Sequence, residues 1–219
     1  MSEEVVRGSK VTIRFDARRC IHSRHCVLDR PDVFVPNVQG EWIHPDRATP
    51  GEALELAHNC PSGAIQCEAA DGSALERAPI VNTVRVRENG PLAVRANIAL
   101  DGASQGYRLT LCRCGDSKNK PFCDGSHAAA GFMATGEPPV VESKPLAARD
   151  GPVAITATKD GPLHLVGNVE IVSGTGKTIK RVTDAWLCRC GHSKNKPYCD
   201  GSHKSVGFRS SNSREQAGS

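Results

Sequence analysis

Apolar and polar residues alternate through "KVTIRFD" (10–16), the pattern of a half-buried strand. "EWI" (41–43) is long enough only for a short second strand. In "TPGEALELAHNC" the period changes to that of a helix, with Ala53, Leu54, Leu56 and Ala57 forming its apolar side. Its start is written in the residues. Thr49 stands as the N-cap, Pro50 takes the first helical position, and Glu52 completes a capping box. Cys60-Pro61 ends the helix, and "AIQCE" (64–68) returns to alternation as a closing strand.

Past residue 75 the alternating patterns recur in two copies. "ENGPLAVRANIAL" (88–100) matches "KDGPLHLVGNVEI" (159–171), and each copy runs on to a nearly identical cysteine block. The blocks are "LCRCGDSKNKPFCDGSH" from Leu111 and "LCRCGHSKNKPYCDGSH" from Leu187. Gly131-Phe132 and Gly207-Phe208 follow them. The second copy is five residues longer around "SGTGKTIK", which predicts a longer hairpin loop. "TGEPPVVESKP" (135–145) joins the copies as an extended linker or edge segment. The organisation expected is a unit over 10–70, repeats over 75–135 and 136–210, and a polar, disordered tail over 211–219.

Composition sharpens this picture. Only 4% of the 219 residues are aromatic, and the chain has 10 cysteines. Small units with thin cores need metals or cross-links. "MSEEVVRGSK" has no apolar h-region, and no apolar run approaches the roughly 18 residues of a membrane span. A soluble, cytoplasmic chain is expected, where clustered cysteines bind metal more often than they form disulfides. The net charge of +4 is too mild for a nucleic-acid footprint, although the basic C-terminal part biases docking toward an acidic partner.

Each cysteine block carries four potential ligands: Cys112, Cys114, Cys123 and His127 in the first, Cys188, Cys190, Cys199 and His203 in the second. Two thiolates one residue apart reach the same centre if the backbone turns, and Gly115 and Gly191 allow that turn. Pro121 and Pro197 stiffen the return to the third cysteine. Asp124 and Asp200 are expected to N-cap a short turn carrying the histidine. Four donors repeated at one spacing point strongly to metal. Three Cys and one His also make a closed zinc site, but zinc loops usually put two to four residues between the first pair, and here one intervenes.

Both blocks resemble the CDGSH iron–sulfur domain (NEET) family: Cys-x-Cys, then Ser117 or Ser193, Pro121 or Pro197, and Cys-Asp-Gly-Ser-His. The "GPL" strands and trailing Gly-Phe extend the resemblance over about residues 79–209. It implies one 2Fe–2S cluster per motif, held by the three Cys and one His named above. It also implies β-rich repeats packed as an intrachain pseudo-dimer in a monomeric chain.

The first unit has its own cysteines. "CIHSRHC" (20–26) and "CPSGAI" (60–65) place Cys20, Cys26 and Cys60 where ferredoxins carry Cys-x-x-Cys-x-x-Cys and a remote Cys-Pro, with Ser23 at the middle position. This resembles the divergent single-cluster ferredoxin domain family and implies a small ferredoxin-like fold, so the chain as a whole is expected to be α+β. Three cysteines suffice for a 3Fe–4S cluster. A 4Fe–4S cluster would draw a fourth ligand from His22, Ser23, His25, Cys67 or solvent. Cys67, on the closing strand, reads first as a buried spectator. His44, His58 and His164 have no ligand pattern. His192, standing where the first copy has Asp116, is expected to alter charge without binding.

One-electron transfer with redox partner proteins is the expected function. Cluster storage, redox sensing or transfer to apo-acceptors is the first alternative, and a zinc-stabilised interaction module the second. No Gly-rich phosphate loop, catalytic triad or open metal site with a pocket is visible, so no enzyme activity is expected.

Overall fold

The computed structural model describes residues 3–210; the tail expected over 211–219 lies outside the described residues. The chain divides into two compact units between Arg77 and Ala78. Both units mix strands with a few short helices. Among the described residues no helix is long and apolar enough to cross a membrane.

In the first unit, β1 (Glu3–Arg7), β2 (Val11–Asp16) and β3 (Ile65–Ala69) form an antiparallel sheet in that order. β2 and β3 are the alternating segments of the sequence. β1 was not among the predicted strands, because its burial is shallow and its pattern correspondingly weak. The helix α2 (Pro50–Asn59) begins with the expected capping box. The Thr49 hydroxyl accepts the Glu52 amide, and Glu52 accepts the Thr49 amide. Its Ala53, Leu56 and Ala57 are buried with Val11, Ile13, Phe34 and Ile65. "EWI" does not form the strand expected of it. It makes one bridge, Phe34 to Ile43, and Trp42 instead sets its ring edge-on to Phe15 at 4.9 Å. A short helix absent from the sequence reading, α1 (His25–Asp29), carries Cys26.

The second unit holds β4 (Thr83–Val86), β5 (Leu92–Arg95), β6 (Asn97–Leu100), β7 (Ala103–Ser104) and β8 (Arg108–Leu111) from the first repeat. The second repeat supplies β9 (Pro152–Ala157), β10 (Leu163–Val172) and β11 (Thr178–Leu187). The one-turn helices α3 (Ser126–Ala129) and α4 (Ser202–Ser205) follow the cysteine blocks. The strand order is β7-β6-β9-β10-β4-β5-β8, with β11 also on β10. Strands cross between the repeats twice, and both crossings are parallel. Asn97–Leu100 of β6 pairs with Pro152–Ile155 of β9, and Glu170–Val172 of β10 pairs with Thr83–Arg85 of β4. These pairings are equivalent under the sequence repeat, since β4 corresponds to β9 and β6 to the second half of β10.

One core serves both repeats: Val84, Leu92, Val94 and Leu109 lie in the same cluster as Ile155, Leu163, Leu165 and Ile171. Each such side chain contributes about 1.5–3 kcal/mol on burial, and many do so only because the other repeat covers them. The linker over 135–145 runs beside β11 without becoming a strand. The Val141 amide donates to the Ile179 carbonyl, and the Arg181 amide to Ser143 Oγ. The five extra residues of the second copy lie in the β10–β11 hairpin, whose turn begins at Ser173.

Candidate metal centres

Strand β8 delivers Cys112 into the core end of the first block, and the return segment is sewn to it. The Cys112 amide donates to the Pro121 carbonyl at 2.9 Å, and the Cys123 amide to the Thr110 carbonyl at 3.0 Å. Ser117 braces the loop, donating to the Phe122 carbonyl at 2.7 Å. The second block repeats this with Cys188 on Pro197, Cys199 on Trp186, and Ser193 on Tyr198. The two aspartates do not N-cap their helices as expected; Gly125 and Gly201 occupy that position with left-handed φ. Asp124 instead clamps the loop from both sides, accepting the Lys118 amide at 2.8 Å and the Ser126 amide at 3.0 Å. Asp200 does the same with Lys194 and Ser202, and the hydrogen bond from the Ser202 hydroxyl, together with those two amides, holds its carboxyl well below the ordinary range.

The donor atoms then pair off two and two. Cys112 Sγ is 3.7 Å from Cys114 Sγ, and Cys123 Sγ is 3.4 Å from His127 Nδ1. In the second block the same distances are 3.8 Å and 3.4 Å. A tetrahedral ion with sulfur ligands at about 2.3 Å spaces them about 3.8 Å apart, so each pair has the span of one ion's ligand edge. Among the described residues, no group of three or more His, Cys, Asp or Glu side chains gathers around a single ion position. Backbone amides face the sulfurs: Gly115 to Cys112 at 3.3 Å, Asp116 to Cys114, Gly125 to Cys123 and Gly201 to Cys199, each at 3.4 Å. Such donors stabilise thiolate charge.

The titration of these groups suits ligation. The hydrogen bond from Cys114 pulls the Cys112 thiol down to about 6 against its burial, and the same contact pushes Cys114 up. The second proton of that pair is therefore hard to remove without a cation. Burial pushes Cys123 up to about 11. Burial also lowers His127, although Asp124 opposes this, which keeps the imidazole neutral and able to bind at pH 7. His192 turns away, its Nδ1 2.8 Å from the Cys190 carbonyl.

Two residues escaped the sequence reading. Arg113 and Arg189, the central residues of the Cys-x-Cys motifs, are each 1% exposed. The Arg113 guanidinium donates to the carbonyls of Arg87, Gly90, Ala134 and Thr135, tying the block to the strand ahead of it and the segment behind. Burial lowers it to about 10, and the Cys188 thiol of the other repeat opposes that shift, while Cys112 acts likewise on Arg189. The signal available was their identity in both copies; polarity hid it, because a charged residue reads as surface. Arg113→Met is expected to destabilise the second unit by about 3 kcal/mol or more, since each orphaned carbonyl costs about 1–3 kcal/mol. Arg113→Lys should rescue little, lacking the planar fork. Urea denaturation of both variants checks this; a loss under 1 kcal/mol, as order of magnitude, would contradict the buried-fork role.

In the first unit Cys20, Cys26 and Cys60 all line a cavity of about 430 Å³, with Phe15, Val35, Trp42 and Ile65 among its apolar walls. The loop reaches this shape through left-handed backbone at His22 (φ 53) and Arg24 (φ 66). That turn aims the His22 amide at Cys20 Sγ, 3.4 Å away. Cys60 Sγ lies 3.6 Å from Ser62 Oγ. Burial raises Cys20 and Cys26, and the nearby Cys60 thiol raises both further, so the three thiols lie within electrostatic reach of one another. Of the proposed fourth ligands, His22 and Ser23 line the cavity. His25 and Cys67 are outside its lining: His25 is exposed at the head of α1, and Cys67 is 7% exposed in the core on β3.

Comparison with known families matches residues 89–128 and 160–204 to the iron-binding zinc finger of CDGSH type, and residues 6–69 to the divergent 4Fe-4S mono-cluster family. A search of curated proteins found no match. The matched segments contain every cysteine and histidine of the three donor sets, and the donors fit the iron chemistry of both families. The chain is thus an iron–sulfur protein whose first unit matches the divergent 4Fe-4S mono-cluster family and whose second matches the CDGSH type twice.

Proposed function

We propose that the protein is a non-enzymatic one-electron carrier with three centres. Cys112, Cys114, Cys123 and His127 would hold one 2Fe–2S cluster, and Cys188, Cys190, Cys199 and His203 a second. Cys20, Cys26 and Cys60 would hold a 3Fe–4S or 4Fe–4S cluster in a ferredoxin-like unit. The repeats would act as an intrachain pseudo-dimer, a reading supported by the two equivalent parallel strand crossings.

The observation that carries this reading is the pairing of donors, 3.7 and 3.4 Å in one block and 3.8 and 3.4 Å in the other. Two pairs suit two irons with two protein ligands each, whereas one zinc ion needs all four donors around one point. Such clusters supply reversible one-electron chemistry. The protein's part is to bury the sulfurs, aim amides at them, and keep the His127 imidazole neutral. A second reading, delivery of clusters to apo-acceptors, draws on the half-exposed positions of His127 and His203 on one-turn helices.

Anaerobically purified protein is expected to be red-brown, with about seven irons if the first unit holds three and about eight if it holds four. Iron and sulfide quantitation with electron paramagnetic resonance checks this. A colourless protein with stoichiometric zinc from iron-replete cells would sink the proposal. Mixing holo-protein with an apo-ferredoxin tests delivery against electron transfer.

A further inference from the structure

We infer that the outward face of β9, β10 and β11, centred on Trp186, is the docking surface for an acidic one-electron donor protein that reduces the centre of Cys188, Cys190, Cys199 and His203. This rests on the reading that the protein carries single electrons.

The face opposes the core and is open. Strand register sets Thr156, His164 and Trp186 side by side, and next to them Ala154, Val166 and Asp184. Trp186 and Val166 are each 44% exposed, and Ala154 and Thr156 are exposed too. The indole does not swing freely. It stacks on the His164 ring at 4.0 Å with 6° between the planes, and His164 Nε2 donates to Asp184 Oδ2 at 2.9 Å. An aromatic already held in place loses little side-chain entropy when a partner covers it. Tryptophan and arginine are also the residues that most often anchor interfaces.

Charge identifies the partner. Along the same face, register aligns Arg181, Glu170, Thr83 and Arg95 across β11, β10, β4 and β5. Arg149 and Arg181 both reach Glu170, at 2.8 and 3.6 Å, and Arg95 is exposed. Three guanidiniums around one carboxylate leave this flank positive. A partner with an apolar patch around its redox group and carboxylates beside it matches both parts of the face.

The same tryptophan leads to a centre. Its carbonyl accepts the Cys199 amide at 2.8 Å, and Leu187 alone separates it from Cys188. The first repeat has the backbone part of this route, the Cys123 amide on the Thr110 carbonyl, but not the surface part. Thr110, which stands where Trp186 does, is 2% exposed, and Ala93 and Arg95 replace His164 and Val166. Electrons therefore enter at the second centre. One electron leaves the donor and turns one ferric ion of the 2Fe–2S core ferrous. No bond breaks, no proton moves, and the indole serves only as a bridge.

The full chain, purified anaerobically and oxidised, is mixed with an acidic flavodoxin in its hydroquinone form. Rapid-freeze electron paramagnetic resonance, recorded warm enough that four-iron signals broaden away, follows the reduced 2Fe–2S signal. Dithionite, which needs no docking face, is the parallel reductant. Trp186→Thr, which installs the first repeat's residue, should keep its iron and its reduction by dithionite, while its rate with flavodoxin falls by about tenfold or more. The wild-type rate with flavodoxin should fall as salt is added. Arg95→Glu, outside the apolar patch, should slow it at low salt and flatten that dependence. Equal flavodoxin rates in wild type and Trp186→Thr, or a wild type that dithionite reduces and flavodoxin does not, overturn the docking face. So does a wild-type chain that dimerises in sedimentation while Trp186→Thr stays monomeric, which assigns the face to a second copy. A wild type that dithionite cannot reduce removes the electron-carrier reading itself, and the face falls with it.

Discussion

Alanine at Gly115 and Gly191 together will leave the second unit unable to keep its fold or its iron. Both glycines have left-handed φ, 92° and 83°. A Cβ on Gly115 would lie 2.6 Å from the Cys190 carbonyl oxygen, and one on Gly191 would strike the Cys114 carbonyl. The two Cys-x-Cys turns thus abut backbone to backbone, each glycine making room for a cysteine of the other repeat. The conformational cost is about 1–2 kcal/mol per residue, and overpacking against rigid backbone adds about 1–3 kcal/mol. Because the contacts are reciprocal, the two losses will couple, against a total stability of about 5–15 kcal/mol. Gly201→Ala is the control: its φ is 88°, but a Cβ there meets nothing within 4 Å. Urea midpoints and visible absorbance should rank the control mildest, each single variant next and the double variant lowest. Equal losses in Gly115→Ala and Gly201→Ala would mean that the turns do not abut.

Replacing His127 and His203 with cysteine should change the electronic behaviour of both centres while keeping them. A 2Fe–2S core of charge about +2 with three thiolates is near −1 overall and with four near −2, so reduction becomes harder and the potential falls. The acid response should change too. Burial lowers His127, so the folded state binds fewer protons there than the unfolded chain. Stability from its neutral form is complete above the unfolded value of about 6.5 and is lost as pH falls from there through the lowered one. Iron binding deepens the effect, because a proton and iron compete for the same nitrogen. With cysteine, bleaching in mild acid should slow, while the signal of the N-terminal centre stays unchanged. Unaltered potentials and acid rates, with both centres retained, would show that the histidines are not ligands.

Much of the site was legible because its rules are local. Cys-x-Cys, the following glycine and Cys-Asp-Gly-Ser-His specify a turn, a clamp and a histidine four residues from its partner, all within seventeen residues. The capping box at Thr49 and the alternation of β2 and β3 are equally local, and the structure has each where the residues place it. Asp124 and Asp200 show the limit of that reasoning. The residue type was right for accepting amides, but the left-handed glycine after each moved the cap by one position.

Long-range packing decided the rest. Alternation says that a segment is a strand, yet pairing energy comes from neighbours distant in the chain. Nothing in β6 or β9 separately states that they run parallel to each other across the repeats. Arg113 and Arg189 are buried because carbonyls from separate segments converge on them, a gathering that exists only once the unit has folded. Cys67 and Cys60 lie seven residues apart with the same chemistry. β-sheet register sends one into the core, while the end of α2 brings the other to a cavity with Cys20 and Cys26. The order of residues determined which donors the protein owns and how neighbours on one loop are spaced. Tertiary structure alone decided which of them meet, because proximity between distant segments is fixed by shared burial and hydrogen bonding rather than by any residue's own preference.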